Sequence, residues 1–280
     1  MIAPTVKVQR HEEKSLPRST IPDDQLPQLM ETLEGSDSVE LKVTVPDDDI
    51  RSVADALGLD FLDAQIRQVV FFDTPDLALN RAGVVVRARR IQGGRGDTVV
   101  KLRPIAPADL PEEVCGAGGL GIEVDAVPGG FVCSASMKRK AKAAEVRRVV
   151  LGEESIRSLF SKKQKAFFKA HAPDGIGLDD LAILGPINIL KLKFEPDDFG
   201  RKAVAELWIY PDGSRVLELS TRCLHGEAFR TAAETRSYLT GKGVDLEDVQ
   251  QTKTKAALEY FAALRRTARR GPGMRAEARA

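Results

Sequence analysis

Positively charged side chains alternate with apolar ones in two neighbouring segments of the sequence. Residues 84–90 read VVVRARR, and residues 98–104 read TVVKLRP. Because successive side chains of a strand point to opposite faces, Arg87 shares a face with Arg89, and Lys101 shares one with Arg103. Two like charges roughly 6 Å apart repel by about 3 kcal/mol at an effective dielectric near 20. A bound polyanion would neutralise this repulsion, so the pattern predicts a site for phosphate groups.

Charge is sorted onto one face in other segments with strand periodicity, and apolar side chains occupy the opposite face. Lys191 and Lys193 share a face, as do Glu123 and Asp125. If the sheet curls into a pore lined by these charges, helices can cover its apolar outer face. Carboxylates inside such a pore would hold Mg²⁺ or Mn²⁺, which bridge phosphate oxygens. The alternative is an ordinary amphipathic sheet whose charged face meets water.

Eight segments have the alternation and the Gly, Pro or Asp boundaries of β-strands. They are residues 39–45, 68–74, 83–90, 97–103, 121–127, 187–195, 203–211 and 214–222. The PDG sequence between the last two predicts a hairpin turn. Helical patterns occupy residues 50–58, a short turn before Gly83, the charged stretch 137–170, and residues 227–240 and 249–264. These elements predict an α+β fold: a closed or nearly closed antiparallel β-barrel of eight strands, with helices packed outside.

Composition excludes several classes of protein. The chain of 280 residues carries 42 Lys and Arg against 41 Asp and Glu, so no global positive field would attract nucleic acid or an anionic membrane. The basic run 137–148 lacks interleaved aromatic residues, which favours a solvated helix face over a nucleic-acid site. Cys115, Cys133 and Cys223 have no C-x-x-C spacing, so neither a disulfide framework nor a zinc site is indicated.

The ends of the chain differ from its middle. Residues 1–36 and 265–280 show no sustained periodicity, and we expect a disordered leader and a flexible basic tail around one folded domain at 37–264. The leader contains no apolar signal segment, and no run of eighteen apolar residues occurs in the sequence. With the cysteine pattern, this predicts a cytoplasmic protein that does not enter the membrane.

The order of these motifs resembles that of the CYTH family, also called triphosphate tunnel metalloenzymes, which includes thiamine triphosphatases, inorganic tripolyphosphatases and class IV adenylyl cyclases. The resemblance is strongest in VFFDTPDLALNRAGVVVRARR (70–90) followed by TVVKLRP (98–104). It extends to SVELK (38–42), IEVD (122–125), KLK (191–193), AELWIYPDGSRVLELS (205–220) and QQTKTKAALEYF (250–261). It therefore covers roughly residues 38–262.

The resemblance implies roles for individual residues of a triphosphate tunnel. The expected substrate ligands are Arg87, Arg89, Lys101, Arg103, Lys191, Lys193 and Lys253. The expected ligands of Mg²⁺ or Mn²⁺ are Glu40, Glu123, Asp125, Glu206 and Glu218, with Lys42, Glu40 and Glu218 as the catalytic group. Ser38 and Ser220 stand where the family carries two further acids, and their loss should weaken metal binding.

Three functions remain open from the sequence. The favoured one is metal-dependent hydrolysis of a small-molecule triphosphate: inorganic tripolyphosphate, thiamine triphosphate or a nucleoside triphosphate. The departures at Ser38 and Ser220 also suit a module that binds polyphosphate or phosphorylated ligands without turnover. A cyclase would need to recognise a nucleoside outside the pore, and no sequence signature indicates this. A homodimer would cover any apolar outer face that the helices leave open.

Overall fold

A closed β-barrel forms the body of the protein in a computed structural model that describes residues 26–106, 119–127, 130–246 and 253–269. Its strands are β1 (Ser38–Val45), β2 (Gln65–Asp73), β3 (Val84–Ile91), β4 (Gly96–Leu102), β5 (Leu120–Val127), β6 (Gly130–Ala141), β7 (Ala182–Phe194), β8 (Ala203–Ile209) and β9 (Arg215–Cys223). The α-helices within the described ranges are α1 (Leu26–Glu34), α2 (Ile50–Leu57), α3 (Ala78–Arg81), α4 (Ala143–Val150), α5 (Lys162–His171), α6 (Ala228–Gly241) and α7 (Lys253–Arg269).

The order of strands around the barrel is β1-β5-β6-β4-β3-β2-β7-β8-β9, and β9 pairs with β1 to close it. The predictions of eight strands and of an entirely antiparallel barrel are therefore wrong. Neighbours around a closed ring can all run antiparallel only if the number of strands is even. With nine strands, one neighbouring pair must be parallel, and that pair is β1 and β5.

Strand β6 is the element that the sequence pattern missed. Its second half, MKRKA (137–141), was assigned to the charged stretch with helical composition, but these residues pair with β4. Ser134 and Ser136 alternate with Cys133, Ala135 and Met137 along this strand. Small and basic residues have weak strand propensity, so pairing with the two neighbouring strands decides the conformation here.

Helices cover the apolar outer face of the barrel on two sides. Val146 and Val149 of α4 and Phe167 of α5 are buried in a core cluster with Val86 and Val100. On another side, α2 and α6 contribute to a second cluster. Its members include Ile50, Val53, Leu57 and Leu239, packed with Val43, Leu217 and Leu219 of β1 and β9. This arrangement turns the charged side chains of the same strands toward the interior.

The C-terminal helix α7 packs against residues of the inner wall. Leu258 and Phe261 are buried in a cluster with Phe71 and Trp208. Phe71 lies opposite Arg87 in the β2–β3 pair, so the two side chains share the inner face. The apolar side of α7 thus covers one part of the inner wall and leaves the charged part free.

The structure adds to the predicted boundaries at both ends. Helix α1 falls within the segment that was predicted to be disordered, and its Leu29 and Leu33 are buried with Val39 and Val124. Residues 1–25 lie outside the described residues. Helix α7 continues through Arg269, beyond the predicted end of the domain at residue 264, and 270–280 are not described. Cys115 and residues 249–252 of the last predicted helix are also outside the described ranges.

The turn before β3 is built by Asp73 and Gly83. The Asp73 carboxylate accepts hydrogen bonds from the backbone N–H groups of Thr74, Leu79 and Asn80. Gly83 has φ +73°, and its carbonyl accepts a 2.8 Å bond from the N–H of Arg103. A Cβ at Gly83 would lie 2.9 Å from the Arg103 carbonyl oxygen. Glycine is therefore required where the chain passes close to Arg103.

We expect Gly83→Ala to reduce the free energy of unfolding more than Gly58→Ala does. Gly58 has a similar φ of +64° but open space around its Cβ position. Both substitutions lose roughly 1–2 kcal/mol from the left-handed conformation, and Gly83→Ala should lose about 1–3 kcal/mol more from the contact with Arg103. Denaturant unfolding measures the difference. Equal losses for the two variants would contradict the predicted close approach.

Candidate anion-binding tunnel

The charged faces of the strands meet inside the barrel. Asp125 of β5 is buried and lies at the centre of one cluster. Its Oδ1 accepts a 2.7 Å hydrogen bond from Lys42 Nζ, and its Oδ2 lies 3.0 Å from Arg103 and 3.8 Å from Lys101. Strand β6 separates β5 from β4, so these contacts cross a strand and require the side chains to point inward. Attraction by Lys42 and Lys101 outweighs the effect of burial and lowers the pKa of Asp125.

A second cluster joins strands β7, β8 and β9. Glu206 and Glu218 lie directly opposite each other in the β8–β9 pair. The Lys253 ammonium, at the start of α7, is 2.5 Å from Glu206 Oε2 and 2.5 Å from Glu218 Oε1. Lys191 of β7 lies 2.9 Å from Glu206 Oε1. The two lysines hold the pKa of Glu206 far below its usual range, although burial alone would raise it.

A third part of the inner wall carries positive charge in excess. Arg87 has a buried Nε without a hydrogen-bond partner, and no carboxylate within the described ranges forms an ion pair with it. Burial and the neighbouring Arg89 lower the pKa of the Arg87 guanidinium. Arg89 itself pairs with Asp97 across the β3–β4 hairpin. Arg67 of β2 is a further cation in this part of the wall. Burial and repulsion by Arg89 lower the pKa of its guanidinium.

Lys101 shows how strongly these cations influence one another. Burial lowers the pKa of Lys101 to about 8, and repulsion by Lys42 and Arg103 adds to the shift. Attraction by Asp125 opposes the shift but does not overcome it. Lys42 behaves in the opposite way: burial opposes its charge, but Glu40 and Asp125 outweigh burial and raise its pKa. An anion bound beside Lys101 would favour its charged form.

The cations beside Glu123 and at the end of β7 are more exposed than those of the buried clusters. The carboxylate of Glu123 lies 3.0 Å from Arg222 and 3.1 Å from Lys138, and both cations are exposed. Lys193 of β7 is also exposed, and no ion pair to it occurs in the described part of the chain. We call Lys138, Lys193 and Arg222 the mouth cations. All three are exposed, whereas the Asp125 carboxylate is buried.

The structure brings together some of the predicted site residues and separates others. Glu40 lies opposite Asp125 in the β1–β5 pair, and Glu206 lies opposite Glu218. Glu40 and Glu218 are apart on β1 and β9, where Glu40 is opposite Arg222 and Glu218 is opposite Thr44. In this register the two carboxylates are four positions apart, on either side of Lys42.

Four charged residues of the inner face or the mouth are not among the predicted site residues: Arg67, Asp97, Lys138 and Arg222. Arg67 lies one position before the predicted start of its strand, and Lys138 belongs to β6, whose second half has helical composition. Asp97 and Arg222 stand at the ends of predicted strands and share a face with Lys101 and Glu218, so strand alternation alone is sufficient to find them.

The carboxylates are paired rather than grouped in threes. Within the residues that the structure describes, no three His, Cys, Asp or Glu side chains are placed to hold a metal ion. Mg²⁺ is commonly held by one or two carboxylates together with phosphate oxygens and water. Glu40 and Asp125 are two such carboxylates, and both are in contact with Lys42, at 3.0 Å and 2.7 Å.

The two serines that replace family acids have different surroundings. Ser38 lies opposite Glu123 in the β1–β5 pair. The Ser220 hydroxyl is buried and donates a 3.3 Å hydrogen bond to Glu40 Oε1. Ser220 therefore orients Glu40 instead of adding a negative charge.

None of the helices in the described ranges combines the length and the apolar character needed to cross a membrane.

Comparison with known proteins gives results at the level of structure. The sequence matches no family model and no curated protein. The fold is similar to that of a candidate adenylate cyclase from Bacillus halodurans, with a TM-score of 0.54 and 11% identity over 79% of this chain and 97% of that one. It is also similar to HpAC1 from Hippeastrum, a candidate adenylyl cyclase described as having a dominant triphosphatase activity. That match has a TM-score of 0.57 and 17% identity over 79% of this chain and 95% of that one.

These similarities and the closed barrel agree with the fold that the motifs at residues 38–42, 70–90 and 98–104 implied. At such low identity the similarity concerns the fold alone. The chain has a CYTH-like fold.

Proposed function

We propose that the barrel binds a triphosphate and hydrolyses its terminal phosphoryl group. The observation that carries this proposal is Arg87, a half-buried side chain that forms no ion pair in the described residues, has a buried Nε without a hydrogen-bond partner, and stands beside Arg89 and Arg67. A desolvated cation without a carboxylate in contact is costly. The multiple charges of a triphosphate would supply counter-ions to several of these groups at once.

The proposed binding mode follows from the geometry of the cations. Arg87 and Arg89 present planar forks that can hold non-bridging phosphate oxygens with two hydrogen bonds each. Lys101 and Lys191 act as point charges, and Arg103 reaches the same region from the end of β4. The mouth cations would guide the phosphate chain inward and hold the part of the substrate that remains outside.

Phosphoryl transfer depends mainly on positioning and on stabilising charge, so a fixed wall of cations can supply much of the catalysis. Water attacks the terminal phosphorus, the bridging P–O bond breaks, and orthophosphate and the shortened substrate leave together with the proton of the water. Mg²⁺ or Mn²⁺, held by Glu40 and Asp125, would supply further neutralisation of the phosphate oxygens. Lys42 contacts both of these carboxylates at 3.0 Å and 2.7 Å and keeps them in place.

A second candidate function is binding of polyphosphate or phosphorylated ligands without turnover. The observation that favours it is that all five carboxylates predicted to bind metal have a Lys or Arg partner: Glu40, Glu123, Asp125, Glu206 and Glu218. If these pairs persist when phosphate binds, the barrel holds its ligand but recruits no metal. The description of HpAC1 as a triphosphatase favours hydrolysis as the first candidate.

Phosphorus NMR distinguishes the proposed functions. We expect orthophosphate to appear when the protein is mixed with tripolyphosphate, thiamine triphosphate or ATP in the presence of Mg²⁺ or Mn²⁺, and not in EDTA. Binding without phosphate release in any mixture would support the non-catalytic function. Formation of a cyclic nucleotide and pyrophosphate from ATP would identify a cyclase and would contradict the proposed hydrolysis.

We expect Arg87→Gln to weaken tripolyphosphate binding by roughly ten- to a hundredfold, the contribution of a hydrogen bond to a charged group. Arg236→Gln is the matched control, because Arg236 is exposed on α6. Calorimetric titration in EDTA measures binding without turnover. If Arg87→Gln bound as tightly as the control variant, the assignment of Arg87 to the phosphate site would be wrong.

We expect phosphate binding to depend on the charge of Lys101. Its pKa of about 8 means that the ammonium is charged below that pH and loses its proton above it. Affinity for tripolyphosphate should therefore decrease as the pH rises from 7 to 9, by up to about tenfold for the loss of one charged hydrogen bond. Because the ligand also titrates in this range, the measured quantity is the ratio of wild-type affinity to Lys101→Met affinity. A ratio that stays constant across this range would contradict the prediction.

A further inference from the structure

The ammonium group of Lys253 occupies the position between two carboxylates that a divalent cation would otherwise fill. Glu206 and Glu218 face each other across β8 and β9, and the ammonium contacts one oxygen of each at 2.5 Å. The ammonium is also 4.9 Å from the centre of the Trp208 ring, where the aromatic face attracts a cation. Three separate attractions therefore hold the charge of Lys253 at this point.

Helix α7 fixes this cation in the barrel. Lys253 is its first residue, and Ala257, Leu258 and Phe261 on the following turns are buried against the inner wall. The ammonium could not leave the pair by a large distance unless its side chain changed rotamer or α7 moved.

The local charges are already balanced without a metal ion. Glu206 and Glu218 carry two negative charges, and Lys253 and Lys191 supply two positive charges at contact distance. A divalent cation would have to enter a neutral cluster and displace an ammonium that is held by three partners. Lys42 also bridges two carboxylates, Glu40 and Asp125, at 3.0 Å and 2.7 Å. Lys253 differs from Lys42 in its additional contact with the Trp208 ring.

We propose that Lys253 is the resident cation of the Glu206–Glu218 pair and takes the place of one divalent metal ion in the tunnel. The comparison with a metal ion in the tunnel rests on the proposed function. The exclusion of metal from Glu206 and Glu218 can be tested without phosphate, so it stands or fails separately from triphosphate hydrolysis.

The test compares the binding of Mn²⁺ alone to three forms of the full chain, with free Mn²⁺ measured by electron paramagnetic resonance. We expect Lys253→Met to bind Mn²⁺ at least about tenfold more tightly than the wild type, because two buried carboxylates lose their cation. Lys253→Arg keeps the positive charge and should bind Mn²⁺ as the wild type does. The double variant Lys253→Met/Glu218→Gln should lose the gained affinity. Equal Mn²⁺ affinity of wild type and Lys253→Met, or a gain that survives in the double variant, would overturn the proposal.

A measurement on the wild type covers the case in which Lys253→Met does not fold. Trp208 is the single tryptophan of the chain, so its fluorescence reports on the group that contacts Lys253. We expect saturating Mg²⁺ without phosphate to leave this emission unchanged. A change that disappears in the charge-preserving Lys253→Arg variant would mean that metal displaces the lysine, and the proposal would be wrong. Folding of Lys253→Met only when Mn²⁺ is present would support it.

Discussion

Repulsion among buried like charges is the constraint that the rest of this structure must satisfy. Cations from β1, β2, β3, β4 and β7 point into one closed space, together with Lys253 from α7. Buried charges are tolerated when each has a partner, and breaking such a pair leaves an uncompensated charge that costs about 3–5 kcal/mol. The interior carboxylates supply these partners. Asp125 alone contacts Lys42, Lys101 and Arg103, which otherwise repel one another. The interior carboxylates are thus needed to neutralise buried cations of the folded barrel, whether or not they also bind a metal ion.

The same constraint explains why the acids and bases of the family motifs need not have the roles that a motif alone suggests. In the sequence, Glu206 and Glu218 are hard oxygen ligands at suitable spacing. In the structure, they are the counter-ions of Lys191 and Lys253. Ser220 stands where the resemblance implies a further acid, and its hydroxyl donates a hydrogen bond to Glu40.

Strand alternation was sufficient to predict the faces of the barrel wall. Arg87, Arg89 and Lys101 are turned inward because Val86, Ala88 and Val100 need the helices on the outside, and both requirements can be read from the same residues. Alternation does not give the partner of a side chain, because that depends on which strands become neighbours. The pairing of β1 with β5 brings Glu40 beside Asp125, and no local pattern in either segment indicates it. Strand β6 was not predicted for a related reason. Its conformation depends on pairing with β4 and β5 on either side, because its own residues have weak strand propensity.

The placement of α7 links the stability of the empty barrel to its capacity to bind an anion. Its apolar side fills the part of the inner wall formed by Phe71, Trp208 and their neighbours, so burial of apolar surface there offsets the cost of the charges beside it. Arg87 is the remaining imbalance, since its Nε is buried without a hydrogen-bond partner and its guanidinium forms no ion pair among the described residues. A ligand that binds only the folded barrel stabilises it in proportion to its occupancy, by about 2.7 kcal/mol at a hundred times its dissociation constant. Under the proposed function, a phosphate chain beside Arg87 would offset the cost of this cation, and a barrel with a fully neutral interior would have less to gain from binding an anion.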